Sequence, residues 1–389
     1  MNNGNALWIV MKREVRQWAS RRIYLFMMVI APLGCWLFFA DLMKEGVPTD
    51  LPAALVDKDA TSTSRALARS LDAFELTKIT LRTTNFGEAR EAMQRGEIYG
   101  IFYIPENFKR DVSSGRQPVI SFYTNDAYIL PGSLIFKDMR MQAALANGVV
   151  QRTLLQAKGG TDPVLSAQLN PVVVDTHPLY NPWLSYAVYL TNILVPAFLS
   201  MFVMFTACFS IGEELKRGTA AEWMQLSRNS VTVAVIGKLA PQLLIFLIMG
   251  TFYLVLLYRF LHFPLNSGFF PMFLAMLLLV LASQAFALFA TGLYSRNRLA
   301  LSSCALWGVL SFSITGFTYP VRSMPEVMQV FSHVFPMRHY FLIYVDQALN
   351  GIPLVYSWQP YLSLSLFLIL PVAVMPKLKK LLLRNEYLP

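Results

Sequence analysis

Six stretches of this sequence are each long and apolar enough to cross a bilayer as a helix, and that property decides most of what the chain can become. A hydrocarbon layer about 30 Å thick needs roughly 20 apolar residues at about 1.5 Å of rise each. The stretches are Ile23–Ala40, Trp183–Ile211, Leu239–Tyr258, Phe269–Tyr294, Leu299–Pro320 and Trp358–Met375. Backbone N–H and C=O groups in hydrocarbon must be bonded within the segment, so each stretch reads as a helix. The expected fold is an α-helical polytopic membrane protein with six spans. Composition agrees: 14% of the residues are charged, against about 25% in ordinary soluble proteins. Arg21 and Arg22 precede the first stretch in the manner of a secretion signal. Its apolar core is too long for one, and no small-x-small cleavage site follows before Asp41, so it reads as a retained anchor.

The charges are unevenly spread. From Asp41 to Asp175 there are 15 Lys and Arg against 16 Asp and Glu, a net of −1; the rest of the chain holds 18 against 7, and the two parts sum to the total of +10. The basic excess therefore flanks apolar runs and does not line one face of a soluble fold, so no nucleic acid partner is expected. Short flanks set orientation. One side collects Lys12, Arg13, Arg16, Arg21, Arg22, Lys216, Arg217, Arg228, Lys238, Arg296, Arg298, Lys377, Lys379, Lys380 and Arg384. The other collects Arg259, Arg322 and Arg338. Both termini are thus expected in the cytoplasm, with 41–180 outside. The expected organisation is a cytoplasmic interfacial helix over 1–22, a first span over 23–40, an extracytoplasmic domain over 41–180, a five-helix membrane domain over 181–376 and a cytoplasmic tail over 377–389.

In residues 1–22, Trp8, Met11, Val15 and Trp18 recur at spacings of three and four with basic residues between them. This predicts an amphipathic helix in the membrane interface, in contact with lipid. The outer segment alternates strand and helix patterns and predicts a mixed α/β domain. Strands are expected at LPAALV (51–56), IYGIFYI (98–104), VISFYT (119–124) and PVVVDT (171–176). Helices are expected at TSTSRALARSLDAF, NFGEAREAMQRG, IPENFKRDVSSG and from about Pro131 to Lys158.

Little in the sequence suggests chemistry. Cys35, Cys208 and Cys304 lie inside apolar runs and read as packing residues. No phosphate-binding loop, GxSxG, HExxH or CxxC occurs, so neither nucleotide hydrolysis, metal nor cofactor is expected on this chain. His177 reads as a loop residue, and His333 and His339 as interfacial packing. The spans carry essentially no charge at mid-depth, where an ion-coupled pump would keep some. The energy source is expected elsewhere.

One stretch, IGEELKRGTAAEWMQLSRNS (211–230), interrupts the apolar pattern with Glu213, Glu214, Lys216, Arg217 and Glu222. At membrane depth these five charges would cost on the order of 15 kcal/mol, so the segment 212–238 is expected in the cytosol. Thr219 and Glu222 form a T-x-x-E pattern, which predicts a capping box opening a short surface helix, Thr219–Gln225, that presents Glu222 and Trp223.

The order of these segments resembles the permease subunit of ABC-2-type exporters. The resemblance runs through ALVDKDATSTSRALA and REAMQRGEIYGIFYIPENFKRDV, then LYNPWLSYAVYLTNILVPAFLS (179–200), EELKRGTAAEWMQL (213–226) and YPVRSMPEVMQVFSHVFPMRHYFLIYVDQAL (319–349), and covers nearly the whole chain. It departs where many relatives carry a Pro soon after the coupling helix; here the residues are Ser227, Arg228 and Asn229. The resemblance implies a transport subunit in the bacterial inner membrane. It would pair with a second permease, a copy or a paralogue, and with two separate ATPase subunits that bind ATP and Mg. Glu213, Glu214, Lys216, Arg217, Thr219, Glu222 and Trp223 would form the ATPase-coupling element, together with the N-terminal helix. Segment 319–349, with Pro325, Pro336 and Arg338, would be an outer-face helical hairpin. Apolar and aromatic spans suit an amphipathic or hydrophobic cargo, and the outer domain suits a periplasmic adaptor. The competing reading is a non-transporting membrane anchor or assembly protein whose outer domain binds an envelope partner.

Overall fold

The computed structural model describes residues 3–44, 46–114, 116–157, 181, 185–294 and 296–384. The expected strand at 171–176, His177, Trp183 and residues 385–389 lie outside them. The backbone divides into two compact units, Met1–Gly46 with Pro178–Pro389, and Val47–His177.

The first unit opens with α1 (Asn3–Ala19) and the long apolar helix α2 (Arg22–Leu42). The chain then builds the second unit around a four-stranded sheet of order β2-β1-β3-β4, with β1 (Leu51–Asp57), β2 (Thr77–Thr83), β3 (Gly100–Ile104) and β4 (Ser121–Thr124). β1 runs parallel to β2 and β3, and β4 antiparallel to β3. Side chains alternate across a strand, and here both faces are covered. Leu51, Ala53, Leu55, Phe102 and Ile104 pack under α3 (Ser62–Asp72) and α6 (Ile129–Ala157). Ala54, Val56 and Ile101 pack under α4 (Phe86–Gln94). The Ser/Thr and Asn start signals work as expected: Thr61 and Ser64 form a capping box on α3, and Asn85 accepts from the Gly87 amide at 2.9 Å on α4. The third helix, α5 (Phe108–Ser113), starts later than Pro105 suggests, after Asn107 in the left-handed region.

β2 is the strand the sequence reading overlooks. TKITLRT buries or half-buries Thr77, Ile79 and Leu81 and turns Lys78, Thr80 and Arg82 outward. Those polar outward positions suit the edge of a sheet but dilute the apolar signal. Gly100 of β3 allows a close approach: a Cβ there would meet Ile135 Cγ2 of α6 at 2.7 Å.

The rest of the first unit is α7 (Ala187–Lys216), α8 (Ala220–Leu226), α9 (Val231–Phe260), α10 (Phe269–Leu293), α11 (Asn297–Ile314), α12 (Glu326–Ser332), α13 (Pro336–Tyr344) and α14 (Trp358–Arg384). α2, α7, α9, α10 and α14 are long and apolar enough to cross a membrane. The sixth expected span, α11, falls short of that standard. It has 18 residues, opens on Asn297 and Arg298, and carries Ser302, Ser303, Ser311 and Ser313 along its length. The chain is a mostly helical polytopic membrane protein.

Proline shapes several of these helices. Pro32 and Pro196 each follow a π-helical turn, at Phe26–Ile30 and Ala187–Thr191. Widening the turn accommodates a ring that would otherwise clash with the carbonyl four residues back. Small polar residues hold the bundle internally. Ser200 of α7 meets Ser283 of α10 at 2.6 Å. Cys208 lies 3.3 Å from Thr291 and 3.4 Å from Cys304 of α11, which matches the packing role expected of these two cysteines.

At one end of the unit, Pro325 and Pro336 stand at helix starts, as the N-cap of α12 and in the first turn of α13. Arg338 donates to the Thr315 carbonyl at 3.2 Å, placing its charge on the negative end of α11. His339 lies buried with Nε2 2.9 Å from the His333 carbonyl, a packing contact within the segment.

The opposite end collects α1, α8 and the basic ends of the long helices. α14 runs on through Lys377–Arg384, because Leu378 and Leu382, four apart, bury against the cluster that holds Trp223 and Met224 of α8.

Candidate functional site

The charged stretch folds as helix, turn, helix, turn, helix, and hydrogen bonds at each turn explain why. α7 ends with Gly218 in the left-handed region. The Gly218 amide bonds the Leu215 carbonyl at 3.2 Å and the Thr219 amide bonds the Glu214 carbonyl at 3.0 Å, which is a Schellman closure. α8 ends the same way, with Arg228 to Gln225 at 3.0 Å and Asn229 to Met224 at 2.8 Å. Arg228 and Asn229 both have positive φ, 58° and 56°. These left-handed residues stop the helix.

The capping box does not form. Thr219 precedes α8 with φ −92° and ψ 1° and gives no side-chain cap. Its hydroxyl instead donates to Glu214 Oε2 at 2.5 Å. The expected exposure of α8 also needs correction. Glu222 is 63% exposed, but Trp223 is fully buried and Glu214 is only 2% exposed.

Glu214 is the centre of a buried ion-pair cluster. Arg13 of α1 grips its carboxylate with both terminal nitrogens, at 2.7 and 2.9 Å. Lys238 of α9 donates to Glu214 Oε1 at 3.0 Å and also to Glu14 Oε2 of α1. Glu14 further accepts from Trp18 Nε1 at 3.0 Å and from Gln242 Nε2 at 3.4 Å. The Lys238 ammonium sits 4.9 Å from the centre of the Trp223 ring, within cation–π range. Two carboxylates and two cations balance. Burial opposes the charge on Arg13, but the hydrogen bond and attraction of Glu214, with lesser help from Glu222 and Glu14, outweigh it and raise its pKa above the ordinary value. One cluster thus ties α1, α7, α8 and α9 together through side chains that have left water, where charge-assisted bonds are strong and an orphaned partner is expensive.

Around this core lies an exposed rim. Glu213 pairs with Arg217 and, at 3.6 Å, with Arg21. Lys216, Arg217, Glu222 and Arg228 face outward.

α1 docks through a face the sequence reading did not single out. Ala6, Val10 and Glu14, each four apart, are buried. Val10 fits against Gly237 of α9, where a Cβ would approach Val10 Cβ and Cγ1 to 2.8 Å. The expected interfacial stripe turns away: Trp8 and Val15 are exposed, Met11 and Trp18 half-buried, with only Trp18 reaching back to Glu14. Of the residues predicted to form a site, the structure gathers Glu213, Glu214, Thr219, Glu222, Trp223 and Trp18. Pro325, Pro336 and Arg338 belong to the other end. Arg13, Glu14 and Lys238, counted at first only as flanking charge or passed over, complete the cluster.

A family model described as ABC-2 family transporter protein matches residues 22–375, nearly the whole chain and all of α7 to α13. The chain belongs to this family. It is an ABC-2-type permease, the membrane subunit of a transporter and not its catalyst; permeases of this family normally work with an ABC ATPase. No curated protein matches it. Within the permease, the match takes in Glu214, Thr219, Trp223 and Lys238 and begins after Arg13, Glu14 and Trp18 of α1.

Proposed function

We propose that the permease exports an amphipathic or hydrophobic substrate from the cytoplasm or inner leaflet of a bacterial inner membrane, driven by two ATPase subunits docked at the α8 end. A second permease, a copy or a paralogue, completes the pathway, and ATP and Mg reside on the ATPases. The fifteen-to-three bias of Lys and Arg puts that end, with both termini, in the cytoplasm and 41–180 outside. Such an arrangement needs an even number of spans, so α11 serves as the sixth. Its contacts support this: Cys304 against Cys208, and Trp307 stacked on Phe286 of α10 at 4.6 Å.

The observation that carries the coupling role is the cluster at Glu214. Its buried ion pairs join α1 to the two long apolar helices α7 and α9, and the buried Trp223 of α8 packs its ring beside Lys238, so a push on α8 is delivered to α7 and α9 with little slack. The rim of Lys216, Arg217, Glu222 and Arg228 is the surface for the ATPase.

Charge reversal on that rim tests the reading. Lys216→Glu with Arg228→Glu is expected to leave thermal stability within about 0.5 kcal/mol of wild type, as exposed sites do, while the ATPase no longer co-purifies. Trp223→Ala is expected to destabilise by about 3–5 kcal/mol, as for other fully buried aromatic side chains. Full recovery of ATPase on the reversed rim would refute the assignment.

A further inference from the structure

We propose that the permease carries a built site for one anionic glycerophospholipid, in the crevice where α1 turns into α2. The crevice has a volume of about 350 Å³. Its rim holds Arg21 and Arg22; its wall holds Tyr24, Leu25 and Val29, with Ile245 of α9 opposite. α2 becomes apolar immediately after Arg22, so the two guanidinium groups stand at headgroup depth and the lining below is at acyl depth.

Two observations point to this occupant. Arg22 is exposed and has no ion-pair partner among the described residues, whereas Arg21 lies within 3.6 Å of Glu213. The lining below the rim is apolar, which a free phosphate would leave empty and an acyl chain fills. Cation above and hydrocarbon below is the charge and polarity pattern of an anionic phospholipid. The lipid would wedge between α1 and α2 beside the cluster at Glu214, yet it is read out on the permease alone, without any ATPase or substrate.

The test is native mass spectrometry of the delipidated permease titrated with phosphatidylglycerol. One molecule should be retained at concentrations where phosphatidylcholine is not. Arg22→Glu, a surface change, should weaken retention on the order of tenfold, given that each basic group near an anionic surface contributes a several-fold factor. Ile245→Trp should abolish retention by filling the crevice. Equal retention of phosphatidylcholine, or undiminished phosphatidylglycerol on both Arg22→Glu and Ile245→Trp, would overturn the proposal. Displacement of the lipid by millimolar inorganic phosphate would overturn it too, because the site would then be a plain anion site.

Discussion

Replacing Lys238 with Met is expected to lower the stability of the helical unit by about 3–5 kcal/mol, the usual result of breaking a buried ion pair from one side. Among the described residues, the ammonium is the only cation in contact with Glu14, and it is one of two on Glu214. Without it, Glu14 keeps only the neutral donors Trp18 and Gln242, which do not offset a full buried negative charge. Trp223 also loses its cation. Because α1 is held by Glu14 and Arg13, its release should accompany the loss, seen as faster tryptic cleavage within α1. Adding Glu14→Gln to Lys238→Met removes the orphaned charge and should recover part of the stability. Thermal unfolding of the purified variants measures both. A single variant as stable as wild type would mean the cluster is not as dry as its geometry indicates.

Gly237→Val is expected to destabilise by about 1–3 kcal/mol from overpacking, concentrated on α1. The new Cβ alone would lie 2.8 Å from two atoms of Val10 and 3.4 Å from the Leu7 carbonyl. Val10 is β-branched and has little rotamer freedom to retreat, so α1 as a whole must lift. Val10→Ala in the same chain should relieve part of the strain, because it removes the colliding Cγ1 and keeps the equally near Cβ. Protease sensitivity at Lys12, Arg13 and Arg16 reports the lift directly. An unaltered digestion pattern in Gly237→Val would show that α1 is seated by other contacts.

The apolar runs made the membrane architecture legible, since no other physical solution exists for them in hydrocarbon. The Lys/Arg bias also marked the end at which the charged stretch would gather. The cluster itself was half legible. Glu214 and Thr219 were singled out, but for an exposed capped helix; the hydroxyl of Thr219 could accept from the Glu222 amide as a cap or donate to a carboxylate five residues back, and local pattern favours the cap. Lys238 did leave a signal. It is a lone cation in VTVAVIGKLAPQLLIF, and a buried ionisable group calls for a partner. Counting it as a flanking charge for orientation hid that demand. Glu14 was harder, because its charge partner Lys238 lies 224 positions away along the chain, and no local period reports such a contact. β2 escaped for a different reason: an edge strand shows water its polar face, so its sequence never becomes conspicuously apolar.

The central claim is that the buried cluster transmits force from the ATPase-facing helix α8 to the spans. It is tested most directly by labelling. A cysteine at Tyr319, exposed at the end of the helical unit opposite α8, can be introduced with Cys35 changed to Ser, the buried Cys208 and Cys304 being kept. Its reaction rate with a water-soluble maleimide is then measured in the permease–ATPase complex, with and without ATP and vanadate. In the otherwise unaltered protein the rate should change on trapping. In Glu14→Gln/Lys238→Met, which keeps the exposed rim and should keep the bound ATPase, that change should vanish. If the ATPase remains bound and nucleotide alters the labelling rate as it does in the parent, the cluster does not transmit the motion and the account is wrong.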